Sequence, residues 1–78
     1  MICTAHPAGT ALDITFKPSD IEDVQYFLNG VEITPDAIKD NRDGSFTASF
    51  SAHQTAGHAG ETLDVKEGGT VLSCRDLT

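Results

Sequence analysis

The stretch that decides the fold of this chain is Asp23–Ile33, which reads DVQYFLNGVEI. Its Asn29-Gly30 pair favours a two-residue type I′ turn, because both central residues of that turn take positive φ. Apolar residues occupy every second position up to Leu28, and the alternation resumes at Val31 after the turn. This pattern predicts an antiparallel β-hairpin and argues against a helix.

The same two-residue period recurs on both sides of this hairpin. Thr10–Lys17 and Ser45–Ala52 alternate apolar and polar residues, which predicts two more strands with one buried face. An edge strand is expected within residues 1–9, and two closing strands at 62–66 and 70–75 flank a glycine turn. The residues predicted to fill one thin core are Leu12, Ile14, Phe16, Val24, Tyr26, Leu28, Ile33, Phe46, Phe50, Leu63, Val65 and Leu72.

The segments between these strands are predicted to be turns and loops. Ser19 is expected to cap one helical turn, residues 34–44 to form turns, and His53–Gly60 to form a small-residue loop. Six or seven short strands about ten residues apart predict an all-β fold, either a small antiparallel β-sandwich or a small β-barrel. The length fits a single domain spanning residues 1–78.

The charge of the chain is strongly acidic, with 12 Asp and Glu against 5 Lys and Arg and a formal net charge of −7. This balance disfavours nucleic acid as a partner, because binding there depends on neutralising phosphates with basic residues. The charge suits a soluble surface, or alternatively an acidic inhibitor that binds a cationic, nucleic-acid-binding host protein. The carboxylates that would serve such an inhibitor are Asp20, Glu22, Asp23, Asp36, Asp40 and Asp43.

No stretch has the length of a transmembrane helix, so no membrane partner is expected. The first residues lack the basic start and apolar run of a signal peptide, which favours a cytoplasmic protein or a fragment of a longer one.

The two cysteines, Cys3 and Cys74, lie near opposite ends of the chain. In the cytoplasm the default is that both are reduced, partly buried thiols. The alternative is a disulfide, which would contribute about 4 kcal/mol on the loop-entropy model.

A metal site is the first catalytic possibility that the histidines raise. His53 and His58 share one loop, with Glu61 and Asp64 nearby. Zinc needs ligands held on a rigid scaffold, usually including Cys or a third His, and a spacing of five in a Gly/Ala loop does not provide one. We therefore expect exposed loop histidines, and neither metal nor cofactor.

A calcium loop is the second possibility, because Asp40, Asn41, Asp43 and Gly44 lie close together. Alignment on the glycine places Lys39 where an EF-hand needs an acidic residue, and the bidentate Glu is missing. A turn before the next strand explains these residues better, since Asp and Asn bond their own backbone and Gly supplies positive φ.

Other catalytic signatures are missing from the sequence. It has no Gly-x-Ser-x-Gly elbow and no phosphate-binding glycine loop. A chain this small is also expected to lack a pocket of the ~300 Å³ that ligand sites usually need. The sequence therefore predicts a protein that is not an enzyme.

Two stretches together resemble a known class of domain. Residues Val24–Ile33, followed by Asp43–Phe50 (DGSFTASF), resemble bacterial and phage immunoglobulin-like domains, which carry an aromatic-x-x-Asn-Gly hairpin and then an Asp-Gly-x-aromatic-x-Ala strand. Antibody-type domains differ in having a Trp in the third strand and cysteines that span the sheets. The resemblance implies a non-catalytic spacer, adhesion module or virion decoration.

A shorter stretch resembles a second phage family. Residues Gly60–Val65 and Gly68–Leu72 are similar to the closing strands of phage head–tail joining proteins. Together the resemblances imply a structural or protein-interaction module, in a virion or in the cytoplasm of the host cell. Its expected contact elements are the Asn29-Gly30 tip and the 53–60 loop with His53 and His58.

Overall fold

Eight strands in two sheets make up the computed structural model, which describes residues 1–78. The strands are β1 (Thr4–His6), β2 (Leu12–Phe16), β3 (Val24–Leu28), β4 (Val31–Ile33), β5 (Ala37–Asp40), β6 (Phe46–Phe50), β7 (Thr62–Glu67) and β8 (Thr70–Leu77). A 3-10 turn at Ile21–Asp23 and one short helix, α1 (Ala52–Thr55), complete the fold. The protein is a small β-sandwich, as the alternation predicts.

One sheet has five strands in the order β1-β8-β7-β3-β4, and the other has three in the order β2-β6-β5. Every pair is antiparallel except β1 with β8, where Thr4 lies opposite Arg75 in a parallel pairing. The expectation of antiparallel pairing alone is therefore wrong at this edge. A parallel pair needs a long crossover connection, and here the rest of the chain supplies it.

The Asn-Gly hairpin forms where it is predicted. Asn29 has φ 51° and Gly30 has φ 77°, as a type I′ turn requires. Leu28 lies directly opposite Val31, so β3 and β4 are joined by these two residues alone. The hairpin also fixes the register of β4, which is the edge strand of its sheet.

The core lies between the sheets and follows the predicted alternation. On β2 the inward residues are buried while Asp13 and Thr15 between them are exposed. The ring of Tyr26 meets those of Phe16 and Phe50 edge-on, with centroids 6.1 and 6.0 Å apart. The buried cluster is Leu12, Ile14, Phe16, Tyr26, Leu28, Ala48, Phe50, Leu63, Val65 and Leu77, with Val24, Ile33, Phe46 and Leu72 half-buried around it.

Three local predictions differ from the structure. Strand β5 lies inside the predicted turn region, and all four of its residues are exposed, so it carries no alternating signal. The helix α1 occupies part of the predicted loop, with the hydroxyl of Ser51 accepting from the Gln54 N–H at its start. The 3-10 turn is capped by Asp20 instead of Ser19. The N–H of Ser19 donates to the carboxylate of Glu67.

Cys3 and Cys74 form a disulfide, which corrects the expectation of reduced thiols. The bond ties the segment before β1 to β8, and only 4% of Cys74 is exposed. Pairing is possible because β1 lies beside β8, which brings the two ends of the chain together. Separately, the structure contains no helix of the length and apolar character that crossing a membrane would need.

Candidate functional site

An open groove lies between the β3–β4 hairpin and the segment that connects α1 to β7. Its volume is about 580 Å³, so the expectation that this chain is too small for a site of ~300 Å³ is wrong. The groove is possible because it opens at the edge of a sheet and takes no volume from the core. Its lining residues are Leu28, Asn29, Val31, Ile33, Thr34, Gln54, His58 and Glu61.

One wall of the groove is apolar and belongs to β4. Val31 lies opposite Leu28, and Ile33 lies opposite Tyr26, so both β4 side chains share the face that carries the core residues of β3. The facing sheet has two strands fewer, and β4 is the last strand of its own sheet. As a result Val31 keeps 65% of its surface exposed, whereas Leu28 keeps 5%.

The opposite wall is polar and runs from α1 to the residue before β7. Gln54 donates from Nε2 to the Thr34 carbonyl oxygen at 2.9 Å, which joins the two walls at one end. Nδ1 of His58 lies 2.9 Å from Oε1 of Glu61. The Glu61 N–H donates to the His58 carbonyl oxygen, so a tight turn sets this pair. The other ring nitrogen of His58 has no partner within the chain and is available to a ligand.

A buried threonine holds the polar wall in place. Thr55 is fully buried, and its hydroxyl donates to the Thr10 carbonyl oxygen at 2.9 Å and accepts from the Gly9 N–H at 2.9 Å. A helix of four residues is too short to be stable alone. These two bonds to the loop before β2 therefore fix α1 and the groove wall that it carries.

The structure brings together some of the predicted contact residues and separates others. Asn29 and His58 both line the groove, and Gly30 is exposed at the hairpin tip beside it. His53 is exposed on α1 and does not line the groove. Sequence reasoning missed Val31 and Thr34 as site residues and placed Ile33 in the core. It included Gln54 only as part of the 53–60 loop, and named Glu61 only beside the metal site that it rejected. Part of the signal was present in the sequence, because the alternation after the turn places Val31 and Ile33 on the same face of β4.

Metal-ligating groups do not converge in this protein. No group of three or more His, Cys, Asp or Glu side chains is placed to hold an ion. In the calcium-like segment, Asp40 accepts the Arg42 N–H at 2.8 Å and Asp43 accepts the Ser45 N–H at 2.9 Å. The turn predicted before β6 is found at residues 41–45, where the Asn41 N–H donates to the Ser45 carbonyl oxygen, whereas Asp40 is the last residue of β5. The hydroxyl and N–H of Ser45 lower the pKa of Asp43.

The histidines also lack a nucleophile that they could activate. His58 is paired with a carboxylate and has no hydroxyl or thiol within hydrogen-bond distance. His6 Nε2 lies 2.8 Å from Oγ1 of Thr10, but that hydroxyl donates its proton to the Pro7 carbonyl oxygen. The ring of His6 is therefore the donor in this pair and cannot act as a base toward the hydroxyl.

The six carboxylates named for an acidic inhibitor are all exposed. Asp20, Asp40 and Asp43 each accept the N–H of the residue two positions on, so local turns account for their positions. Asp36 accepts the N–H of Ser51, just before α1. No Lys or Arg forms an ion pair with a carboxylate; the single close pair is His58 with Glu61. The acidic charge of the surface is therefore not neutralised within the chain.

Comparison of this chain with protein-family models, with curated proteins and with solved structures found no match. Function is thus inferred from the groove and the surface charge. One wall offers apolar surface, and the facing wall offers an imidazole, an amide and a carboxylate.

Proposed function

We propose that this protein is a non-catalytic recognition module that binds a protein partner in the groove beside β4. The observation that carries the proposal is Val31, which is 65% exposed and forms the apolar wall opposite His58 and Glu61. A folded chain gains stability by covering an apolar side chain, at roughly 25 cal/mol per Å². An apolar wall inside a groove, with a few polar groups facing it, is typical of binding sites.

The charge of the molecule selects the kind of partner. With a net charge of −7, the surface repels acidic proteins and attracts basic ones over about 10 Å at 0.1 M salt. Glu61 lines the groove, and Glu32 lies on the other face of β4. The partner segment therefore combines apolar and basic residues. The alternative function, an acidic inhibitor of a cationic, nucleic-acid-binding protein, is supported by the net charge alone. No groove or cluster of side chains favours it specifically.

The setting that we infer is a phage or prophage particle, in which the module has a structural or adhesive role. The resemblance of Val24–Ile33 and Asp43–Phe50 to bacterial and phage immunoglobulin-like domains supports this role. The disulfide between Cys3 and Cys74 favours a particle exterior or another oxidising environment over the reducing cytoplasm.

Selection from a random peptide display library tests this function. Peptides are selected on the oxidised full-length protein and then measured on two variants with the same substitution. Val31→Asp places a charge in the groove, whereas Ile38→Asp places one on β5, where Ile38 is 48% exposed and outside the groove. We expect selected peptides to bind Val31→Asp at least about tenfold more weakly and Ile38→Asp as they bind the parent, since an unpaired charge in an apolar contact is costly.

The outcomes separate the groove from other surfaces. Peptides that lose affinity equally on both variants would indicate general charge repulsion, and peptides insensitive to both would place binding elsewhere. Either result, or a selection that yields no binder, overturns the groove as a recognition site. Both variants change exposed residues, and retained dispersion in their NMR spectra verifies that they fold.

A further inference from the structure

We propose that the partner adds a strand to the β4 edge, using a short segment in which a basic residue stands between two apolar residues. This inference rests on the proposed function and specifies how the groove is used. Three features of β4 carry it: its open backbone, its two apolar side chains that face the groove, and Glu32 between them.

The backbone N–H and C=O of Glu32 point away from β3, toward the open side of β4. In a two-residue hairpin the residues that flank the loop form a hydrogen-bonded pair, here Leu28 with Val31. Tyr26 with Ile33 is the next such pair, because the two types of pair alternate along an antiparallel ladder. The N–H and C=O of Glu32 therefore lie on the open edge, where one residue of an antiparallel partner strand can bond both.

The side chains of an added strand follow from the same geometry. The residue opposite Glu32 would place its side chain on the outer face of the sheet, and its two neighbours would point to the inner face. On that face they would lie beside Val31 and Ile33 and enter the groove. Their apolar surface would cover the 65% of Val31 that is exposed.

The charge of Glu32 determines the middle residue of the segment. Opposite charges at directly opposed positions stabilise a strand pair and like charges destabilise it. A Lys or Arg opposite Glu32 is therefore favoured. A second copy of this chain is disfavoured, because antiparallel pairing of two β4 strands would place Glu32 against Glu32. The edge thus resists self-association and selects a different chain.

The edge can pair over a short length only. Beyond Ile33, the carbonyl oxygen of Thr34 is already bonded to Gln54, and Pro35 has no N–H to donate. The other large apolar side chains that are exposed are Ile38 on the edge strand β5, and Met1 and Ile2 before the edge strand β1, but none of them lines a groove. Recognition is therefore confined to about three residues of the partner, which implies modest affinity that repeated contacts would raise.

An NMR titration with defined peptides tests the strand addition. The probe is acetyl-Ser-Val-Lys-Val-Ser-amide, added to the isotope-labelled, oxidised full-length protein. We expect it to shift the amide signals of residues 31–33 and 54–61. A peptide with Glu in place of Lys should bind roughly fivefold more weakly because of like charge. A peptide in which the backbone nitrogen of Lys is methylated should bind roughly tenfold more weakly, because the carbonyl oxygen of Glu32 then has no N–H to accept from.

The variant Glu32→Lys provides the matched control, because it reverses the charge of an exposed side chain. It should prefer the Glu peptide over the Lys peptide. Equal binding of the plain and N-methylated peptides, no change of preference in Glu32→Lys, or no binding at all would overturn strand addition. If displayed peptides still depend on Val31, the groove remains a recognition site that works in another way. If that dependence fails as well, both proposals fall.

Discussion

The ring of Tyr26 lies edge-on to the ring of Phe50, with centroids 6.0 Å apart, and the hydroxyl of Tyr26 is buried without a hydrogen-bond partner. The ring contact stabilises the core, but an unpaired hydroxyl in a buried position opposes it. Tyr26→Phe keeps the ring and removes the hydroxyl. We expect the free energy of unfolding, measured in urea, to rise by about 1 kcal/mol or stay unchanged.

The control for this substitution is Tyr26→Leu, which removes the ring contacts as well. It should lower the free energy of unfolding by roughly 1 kcal/mol or more. A clear loss of stability in Tyr26→Phe would contradict the unpaired hydroxyl, since it would mean that the group has a partner.

The same residue gives the protein a dependence on alkaline pH. Burial raises the pKa of Tyr26 above its usual value of 10.0, so the folded state holds the phenol proton more tightly than the unfolded state. Its contribution is fully present below about pH 10 and is lost as the pH rises through the folded pKa. Tyr26 is the single tyrosine, so tyrosinate absorbance follows it directly. A phenol that ionises at the ordinary pKa in the folded protein would contradict its burial.

The disulfide between Cys3 and Cys74 predicts a protein that reductant destabilises strongly. Closing a loop with a sequence separation of 71 residues contributes about 4 kcal/mol on the loop-entropy model. Thermal unfolding followed by circular dichroism should therefore show a much lower Tm under reducing conditions. The double variant Cys3→Ala, Cys74→Ala should unfold like the reduced protein and ignore the reductant. Two titratable thiols in the untreated protein would refute the bond.

The turn before β6 predicts a loss of stability in acid. The hydroxyl and N–H of Ser45 donate to Asp43 and lower the pKa of that carboxyl below its usual value of 3.8. The contribution is present above the usual pKa and is lost as the pH falls through the folded pKa. Asp43→Asn should therefore be less stable than the parent near neutral pH, and the difference should shrink in acid. Asp13→Asn controls for the loss of one charge.

The alternation in the sequence predicts which face of a strand is inner, but not how far the opposite sheet extends. Leu28 and Val31 follow the same pattern and lie opposite each other, yet one is 5% exposed and the other 65%. The difference arises because the facing sheet has three strands and the hairpin lies at the edge of the five-stranded sheet. The groove depends on this difference in width, which no local pattern records.

Long-range pairing accounts for the other elements that sequence reasoning missed. Strand β5 is held by its backbone pairing with β6, and its side chains are exposed, so its residues resemble a turn. Strand β8 extends to Leu77, two residues beyond the predicted end, because β1 and β7 pair with it on both sides. By contrast, β2 and the Asn-Gly hairpin were predictable because their signals are local.

The hairpin turn predicts different costs for two substitutions at one position. Gly30 has φ 77°, and no atom lies within 4 Å of the place where a Cβ would stand, so the backbone conformation alone determines the effect. A β-branched residue is strained there, and Gly30→Val should lower the free energy of unfolding by roughly 1–2 kcal/mol. Gly30→Asn should lose clearly less, because Asn tolerates positive φ. Urea unfolding measures both, and equal losses would show that the turn does not impose the left-handed conformation at this residue.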